Sequence, residues 1–116
     1  MSLDWDIQEA TIDSVQQAYR DGTATACDVV QAYLDRIAAL DHAGPELNSV
    51  ITVSETALDE ADALDRAFAA TGELTGALHG VPVLVKDQAA TAGIRTTFGN
   101  INAANYVPTE DATAIK

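Results

Sequence analysis

The sequence GVPVLVKD, at residues 80–87, is the part of this 116-residue chain that best indicates its fold. Five apolar residues lead directly into a lysine and an aspartate, without the alternation of a half-exposed strand. A continuous apolar run of this length predicts a strand that is buried on both faces, as in a parallel sheet covered by helices. Because Pro82 cannot donate a backbone hydrogen bond, we place it among the first residues of that strand or at a sheet edge.

Lys86 is one of only two lysines in the chain, and it follows this apolar run. In open α/β sheets, ligands bind beyond the carboxyl ends of strands, so a functional role is one explanation. Partial burial would disfavour the ammonium form, and a neutral lysine can act as a general base towards a serine hydroxyl. The alternative is a solvated lysine that pairs with Asp87. The residue pattern alone favours the solvated lysine and leaves both roles open.

Three helices and a further strand are predicted before residue 80. Each helix has apolar residues at helical spacing on one face. Capping residues mark the helix starts, and glycine or proline marks the ends. A β-branched segment at residues 48–53 predicts the strand. The boundaries are Thr11 and Gly22 for the first helix, the capping box at residues 25–28 and the stop at residues 42–45 for the second, and Ser54 and Gly72 for the third.

The start of the sequence and the residues after 88 are expected to contain little regular structure. Residues 1–10 are expected to form a flexible N-terminus. Residues 89–109 have no periodicity and predict a long irregular connection, which is uncommon unless it is functional. Asp111 is expected to cap a helix of about one turn, too short to be stable alone. We therefore expect a piece of a longer domain; a frayed natural C-terminus is the alternative.

The net charge of −12 lies entirely in residues 1–79, which hold fifteen of the eighteen acidic residues and three of the six basic ones. Such acidity disfavours binding to nucleic acid or to anionic membranes, because both are polyanions. It would also suit a high-salt cytoplasm. The sequence contains neither an apolar run long enough to span a membrane nor a secretory signal at its start. We therefore expect a cytoplasmic location.

The other candidate reactive residues give weaker signals. A single cysteine, Cys27, cannot form an internal disulfide, and without an apparent histidine partner it is expected to be inert. His42 and His79 lack neighbouring ligands at zinc-binding spacing, and the glycines form no phosphate-binding motif. We expect neither a metal nor a cofactor.

Taken together, several segments resemble the N-terminal part of the amidase signature family. The resemblance covers roughly residues 11–116, and it implies that residues 1–116 are the N-terminal portion of a single amidase domain. The implied fold is α/β, with leading helices followed by strands of a mixed central sheet flanked by helices, and it is incomplete in this chain. The matching segments are LHGVPVLVKD at residues 78–87, TAG at 91–93, TT at 96–97, YVP at 106–108 and DAT at 111–113.

The resemblance implies hydrolysis of amide carbon–nitrogen bonds by a Ser–cisSer–Lys triad in which Lys86 is the general base. In the family the lysine acts on a bridging serine in a cis peptide, which activates the nucleophilic serine. The Gly/Ser-rich segment that carries both serines lies downstream in the family and is absent here, so we expect the chain to be inactive alone. A milder departure is Gln88, where many members have Asn. The four serines present, Ser2, Ser14, Ser49 and Ser54, stand in no Gly-rich setting.

Two alternatives to an amidase remain at this point. The A component of a glutamine-dependent tRNA amidotransferase shares the same motif. A truncated, non-catalytic product could instead act as an interaction module through exposed strand edges. The partner implied for the full-length enzyme is a small-molecule amide substrate, and a homodimer is left open.

Overall fold

Three α-helices form the regular structure of residues 5–116. The structure, a computed structural model, describes residues 5–116. Helix α1 spans Ile12–Asp21, α2 spans Ala26–Arg36 and α3 spans Ala57–Thr71. A π-helical segment, Ile37–Asp41, continues α2, and a 3-10 turn lies at Ile101–Ala103. No helix within the described residues is long and apolar enough to cross a bilayer.

The chain divides into two compact units. The first, here called the helical unit, contains the chain up to Asn48 together with Glu55–Pro82. The second, the loop unit, contains Ser49–Ser54 and Val83–Lys116. All three α-helices belong to the helical unit, and Lys86 belongs to the loop unit.

The predicted starts of the first two helices are confirmed. At α1, the Thr11 hydroxyl accepts from the backbone N–H of Ser14 at 3.1 Å, and the Ser14 hydroxyl accepts from the Thr11 N–H at 2.9 Å. Thr25 and Asp28 form the same reciprocal capping box at α2. These local pairs satisfy backbone donors that the first turn of a helix leaves free, which is why the sequence predicts them well.

The core of the helical unit is built mainly from small side chains. Val29 and Ala26 of α2 are fully buried, and Ala61 of α3 is nearly so. Helix α1 contributes Tyr19, the one aromatic residue in this buried cluster. Small residues allow helices to approach closely, so a core with few aromatic residues can still be well packed.

The start of the described chain packs against this core. Trp5 contacts the buried cluster, and Ile7 is itself buried. The Tyr33 hydroxyl donates to the backbone carbonyl of Ile7 at 3.1 Å. The predicted flexible N-terminus, residues 1–10, stays a prediction, and its first four residues lie outside the described part of the chain.

Asp65 of α3 connects two helices. Its carboxylate accepts from the backbone N–H of Ala26 at 2.7 Å and from that of Cys27 at 3.0 Å. These donors belong to the first turn of α2, where the helix dipole also favours a negative charge. One side chain from α3 therefore caps the N-terminus of α2.

Replacing Asp65 with alanine is expected to lower the free energy of unfolding by about 2–3 kcal/mol, since it removes two charge-assisted hydrogen bonds. Asp62→Ala on the same helix is the matched control. Its exposed ion pair with Arg66 is expected to contribute less than about 1 kcal/mol. Urea unfolding of both variants measures the difference. Equal losses in the two variants would show that the Asp65 cap is not specifically stabilising.

The two predicted strands are not found, so the sheet expected for the α/β class is absent from residues 5–116. Residues 81–85 have no regular secondary structure, and within them Val83 is 65% exposed and Leu84 is 80% exposed. The segment at residues 48–53 starts outside the β conformation, because Asn48 has a φ of 53°. A strand needs the backbone of a neighbouring strand, which an apolar run does not itself supply. The only ladder contact in the described residues is an isolated antiparallel bridge between Thr91 and Ile94.

Two further boundary predictions were wrong. Helix α3 begins at Ala57, three residues after the predicted cap Ser54, although its predicted end at Gly72 is correct. Residues 111–116 form turns and no helix. The Asp111 carboxylate is used elsewhere, because it accepts from the backbone N–H of Ala92 at 2.7 Å. The expected irregular connection at residues 89–109 is confirmed, apart from the short 3-10 turn.

Candidate functional site

The beginning of the 78–87 motif is anchored in the helical unit. The Tyr19 hydroxyl donates to the backbone carbonyl of Gly80 at 2.6 Å, and the Gln16 side chain donates to the carbonyl of Ala77 at 2.9 Å. Gly80 has a φ of 67° and lies directly against the Tyr19 ring. Burial, followed by nearby carboxylates, raises the pKa of the Tyr19 phenol, which therefore remains a hydrogen-bond donor at neutral pH.

His79 has a structural position. Its ring lies edge-on to Tyr19 and to Phe68, with centroid distances of 6.1 and 6.3 Å. Because Nδ1 accepts the backbone N–H of Thr75 at 3.0 Å, the remaining ring proton is on Nε2. His42, by contrast, is exposed next to Asp41. Within residues 5–116 no group of three or more His, Cys, Asp or Glu side chains is arranged to hold a metal ion.

Lys86 lies at the other end of the motif and is exposed. The burial expected from the preceding apolar run is therefore not present within the described residues. The pairing with Asp87, which was the alternative, is not present either: among residues 5–116, Lys86 forms no ion pair. Its backbone carbonyl accepts from the N–H of Ala89 at 2.9 Å and so closes a turn. The ammonium group is left available for a partner outside this part of the chain.

The carboxylate and the backbone carbonyl of Asp87 together accept hydrogen bonds from three consecutive backbone N–H groups. One carboxylate oxygen accepts from the N–H of Thr97 at 2.8 Å, and the other accepts from the N–H of Gly99 at 3.4 Å and from the Thr97 hydroxyl. The backbone carbonyl of Asp87 accepts from the N–H of Phe98 at 3.1 Å. We call this arrangement the Asp87 clamp: Asp87 with Thr97, Phe98 and Gly99.

The hydrogen bonds of the clamp lower the pKa of the Asp87 carboxyl below its usual range. The largest cause is the bond from the Thr97 hydroxyl, followed by the bond from the Thr97 N–H. Partial desolvation opposes the shift, while the Gly99 N–H and the charge of Arg95 add to it. The carboxylate is therefore charged at neutral pH, and its oxygens are occupied by residues 97–99.

The other motif segments also bond to one another within the loop unit. Gly93 donates its backbone N–H to the carbonyl of Pro108 at 2.9 Å, and Thr96 donates to the carbonyl of Tyr106 at 2.9 Å. Ala112 donates to the carbonyl of Ala90 at 2.8 Å. Every residue in these hydrogen bonds except Ala90 belongs to a segment that carries the resemblance in sequence.

The sequence pattern singles out Lys86 but not the clamp. Residues 91–100 indicate only a loop with hydroxyls and backbone amides that could line a pocket. In the structure, three of those amides bind Asp87. The sequence feature that could have indicated the clamp is the position of Asp87 next to the candidate base. A carboxylate that does not pair with the neighbouring lysine needs hydrogen-bond donors from elsewhere in the chain.

Cys27 is expected to react slowly with thiol reagents. Burial, followed by the neighbouring Asp65 carboxylate, raises the pKa of its thiol to about 11. Against an ordinary value of about 8.5, the thiolate fraction at neutral pH falls by more than about a hundredfold, and the greater nucleophilicity of a more basic thiolate recovers about tenfold.

Reaction with a disulfide reagent at pH 7.5 should therefore be about 20- to 30-fold slower than that of free cysteine. The rate should still be rising with pH above pH 9, and Asp65→Asn should increase it. A rate that levels off near pH 8.5 would contradict this account of the thiol.

The comparisons with known proteins agree on one family. Residues 28–116 match the family model described as Amidase. The A component of the glutamyl-tRNA(Gln) amidotransferase of Alkaliphilus metalliredigens is 40% identical over 111 residues, which are 95% of this chain and 22% of that protein. The corresponding protein of Salinispora arenicola is 45% identical over 95 residues, which are 82% of this chain and 19% of that protein.

Solved structures give the same result. The native peptide amidase from Stenotrophomonas maltophilia matches with a TM-score of 0.83 and 38% identity, over 90% of this chain and 21% of that one. An amidase family protein from Bacillus anthracis matches with a TM-score of 0.81 and 33% identity, over 90% of this chain and 20% of that one. This chain spans about a fifth of the length of the curated relatives it matches. The match of the family model to residues 28–116, with these identities, shows that the chain belongs to the amidase signature family.

Proposed function

We propose that residues 1–116 are the N-terminal portion of an amidase domain and supply Lys86 as the general base for cleavage of an amide carbon–nitrogen bond. The observation that carries the proposal is the position of Lys86. It ends the motif shared with the family, next to a carboxylate already bound elsewhere, and its ammonium has no ion-pair partner within residues 5–116. The proposed substrate is a small-molecule amide.

The chemistry requires serines from outside this chain. Neutral Lys86 accepts the proton of a bridging serine, which in turn takes the proton of a nucleophilic serine. The nucleophilic oxygen bonds to the amide carbon, and the amine leaves with a proton returned along the same path. Water then releases the acid from the acyl-enzyme. Of the chain's four serines, none lies after Lys86, and Ser14 is bound in the capping box of α1. By itself the chain therefore has a base without a nucleophile and is proposed to be inactive.

A general base must also lose its proton at the operating pH. An exposed lysine does not do so readily, whereas burial disfavours the charged form. Val83, Leu84 and Val85 precede Lys86 and are 65%, 80% and 40% exposed. We propose that the rest of the amidase domain covers these side chains and desolvates Lys86 together with them.

A second candidate is favoured by the curated relatives. Those named above are components of glutamyl-tRNA(Gln) amidotransferases, at 40% and 45% identity. In that case Lys86 would serve the same base role, but the amide would be glutamine and the released ammonia would pass to a partner protein. The acidic residues 1–79 would then face away from tRNA, because like charges repel.

The test joins residues 1–116 to the part of the Stenotrophomonas maltophilia peptide amidase that lies outside the matched region. Ammonia release is then measured from a peptide amide and from glutamine. The amidase proposal expects release from the peptide amide by the joined protein and none by residues 1–116 alone. Hydrolysis by the 116-residue chain alone would overturn the proposal. Activity only when residues 1–116 are joined instead to the unmatched part of the Alkaliphilus metalliredigens protein, with glutamine as the substrate, would favour the amidotransferase alternative.

A further inference from the structure

We infer that Asp87 is a positioning residue for Lys86: by binding residues 97–99 through its carboxylate and its backbone carbonyl, it fixes the backbone from which the base projects. The inference rests on the proposed function, since it assigns Asp87 a part in the action of Lys86. Asp87 would not touch the substrate itself. It would fix the position of Lys86 and limit its mobility.

The clamp is a built arrangement because every oxygen of Asp87 accepts a hydrogen bond, although the Gly99 N–H is shared with the Thr97 hydroxyl oxygen at 3.2 Å. The carboxylate oxygens take the N–H groups of Thr97 and Gly99 at 2.8 and 3.4 Å, and the backbone carbonyl takes that of Phe98 at 3.1 Å. The Thr97 hydroxyl adds a further bond to the carboxylate. The side chain of Asp87 thus binds residues 97 and 99, and its backbone binds the residue between them.

Phe98 indicates how strongly this loop is held. It has a φ of 54°, in the left-handed region that residues with a side chain rarely adopt. Such strain persists only where the surrounding contacts determine the backbone. Two contacts do so at Phe98: its N–H bonds to the carbonyl of Asp87, and its ring stacks on Tyr106 at 6.1 Å.

The clamp acts on the C-terminal side of Lys86, because no regular element directly precedes Lys86 to hold it within residues 5–116. The preceding residues 83–85 are exposed and have no regular secondary structure. After Lys86 the chain turns, with the N–H of Ala89 bonded to the Lys86 carbonyl, and Asp87 lies inside that turn. A base must be held within about 0.5 Å of its productive geometry. The clamp provides that restraint, and it also keeps the Asp87 carboxylate from pairing with the lysine.

The first arm of the test uses the 116-residue chain and hydrogen exchange at single amides. In Asp87→Asn, the N–H of Phe98 is expected to exchange at least about tenfold faster, even though its own acceptor, the backbone carbonyl of residue 87, is unchanged. Asparagine keeps one acceptor oxygen and loses the second, so it cannot accept from both the N–H and the hydroxyl of Thr97, which bind separate oxygens of Asp87. Asp111→Asn is the matched control, because its carboxylate oxygen has a single amide donor, which asparagine can still bind.

Two variants at Thr97 distinguish the effect of its hydroxyl from the effect of its side-chain size on protection of the Phe98 amide. Thr97→Ser keeps the hydroxyl and should preserve protection of the Phe98 amide, while Thr97→Val removes it and should lower protection. Unchanged protection in both Asp87→Asn and Thr97→Val would overturn the clamp.

The second arm measures kinetics in the joined protein described above. Asp87→Asn is expected to lower kcat by about 10- to 100-fold with KM within about twofold, because a misplaced base slows chemistry more than binding. In a Lys86→Ala background, Asp87→Asn should not lower kcat further, because Asp87 acts only by positioning Lys86. A merely structural role would lower the residual activity in both backgrounds.

The outcomes distinguish this inference from the proposed function. If Lys86→Ala lowers kcat by at least about a thousandfold and Asp87→Asn leaves kcat within about twofold of the parent, the proposed function stands and the inference fails. An equal loss from Asp87→Asn with and without Lys86 also overturns it. If Lys86→Ala leaves activity intact, the proposed function fails and the inference falls with it.

Discussion

Replacing Gly80 with alanine is expected to destabilise the helical unit by about 3–5 kcal/mol, the sum of left-handed strain and overpacking. A Cβ at this position would lie 2.6 Å from Cε2 of Tyr19, 3.0 Å from its Cζ and 3.1 Å from the Cβ of Ala26. The Tyr19 ring is buried, and its hydroxyl is bonded to the carbonyl of Gly80 itself. The ring therefore cannot move aside without losing that hydrogen bond.

Gly72→Ala provides the matched control for this prediction. Gly72 has a φ of 71°, close to the 67° of Gly80, but an added Cβ would meet no atom within 4 Å. The control should therefore lose only the strain of the left-handed conformation, about 1–2 kcal/mol. Urea unfolding of the two variants isolates the contact with Tyr19. Losses that agree within about 0.5 kcal/mol would mean that the close approach has no energetic consequence.

Replacing Lys86 with alanine should lower kcat of the joined protein by at least about a thousandfold, towards the upper range for loss of a general base. Lys86→Arg should be equally inactive, because a guanidinium keeps the charge but does not give up its proton. Lys116→Ala, at the chain's only other lysine, is the control and should retain activity. Full activity in Lys86→Arg would show that charge, and not proton transfer, is what this position supplies.

The helices were predictable because their signals are local. Thr11 with Ser14, and Thr25 with Asp28, are three residues apart and interact within one turn. The strands could not be predicted in the same way, because a strand forms only when the backbone of another segment pairs with it. Residues 81–85 have the composition of a buried strand but find neither a sheet nor burial within the described chain.

The candidate site was predictable only in part for a similar reason. Lys86 stands out as a rare residue at the end of an apolar run. The clamp does not, since it binds backbone N–H groups ten to twelve residues away, and every residue except proline has such a group. Nor does the sequence show that Gly80 faces Tyr19, which is 61 residues earlier.

The motif is better described as two adjoining parts with different tasks than as one strand. His79 and Gly80 pack into the helical unit, where one fills the space between two aromatic rings and the other allows Tyr19 to approach. Lys86 and Asp87 belong to the loop unit, where Asp87 organises the backbone of residues 97–99. Stability and proposed chemistry are thus assigned to neighbouring residues of one short segment.

The most direct test of the central claim is chemical rescue of Lys86→Ala in the joined protein. The rate of ammonia release from a peptide amide is measured with added ethylamine and, separately, with tetramethylammonium. If Lys86 is the base, the variant alone keeps no more than about a thousandth of the parent rate and regains activity in proportion to neutral ethylamine, while the quaternary ion, which cannot accept a proton, has no effect. Activity without any amine, or equal rescue by the quaternary ion, would contradict the assignment of Lys86 as the general base.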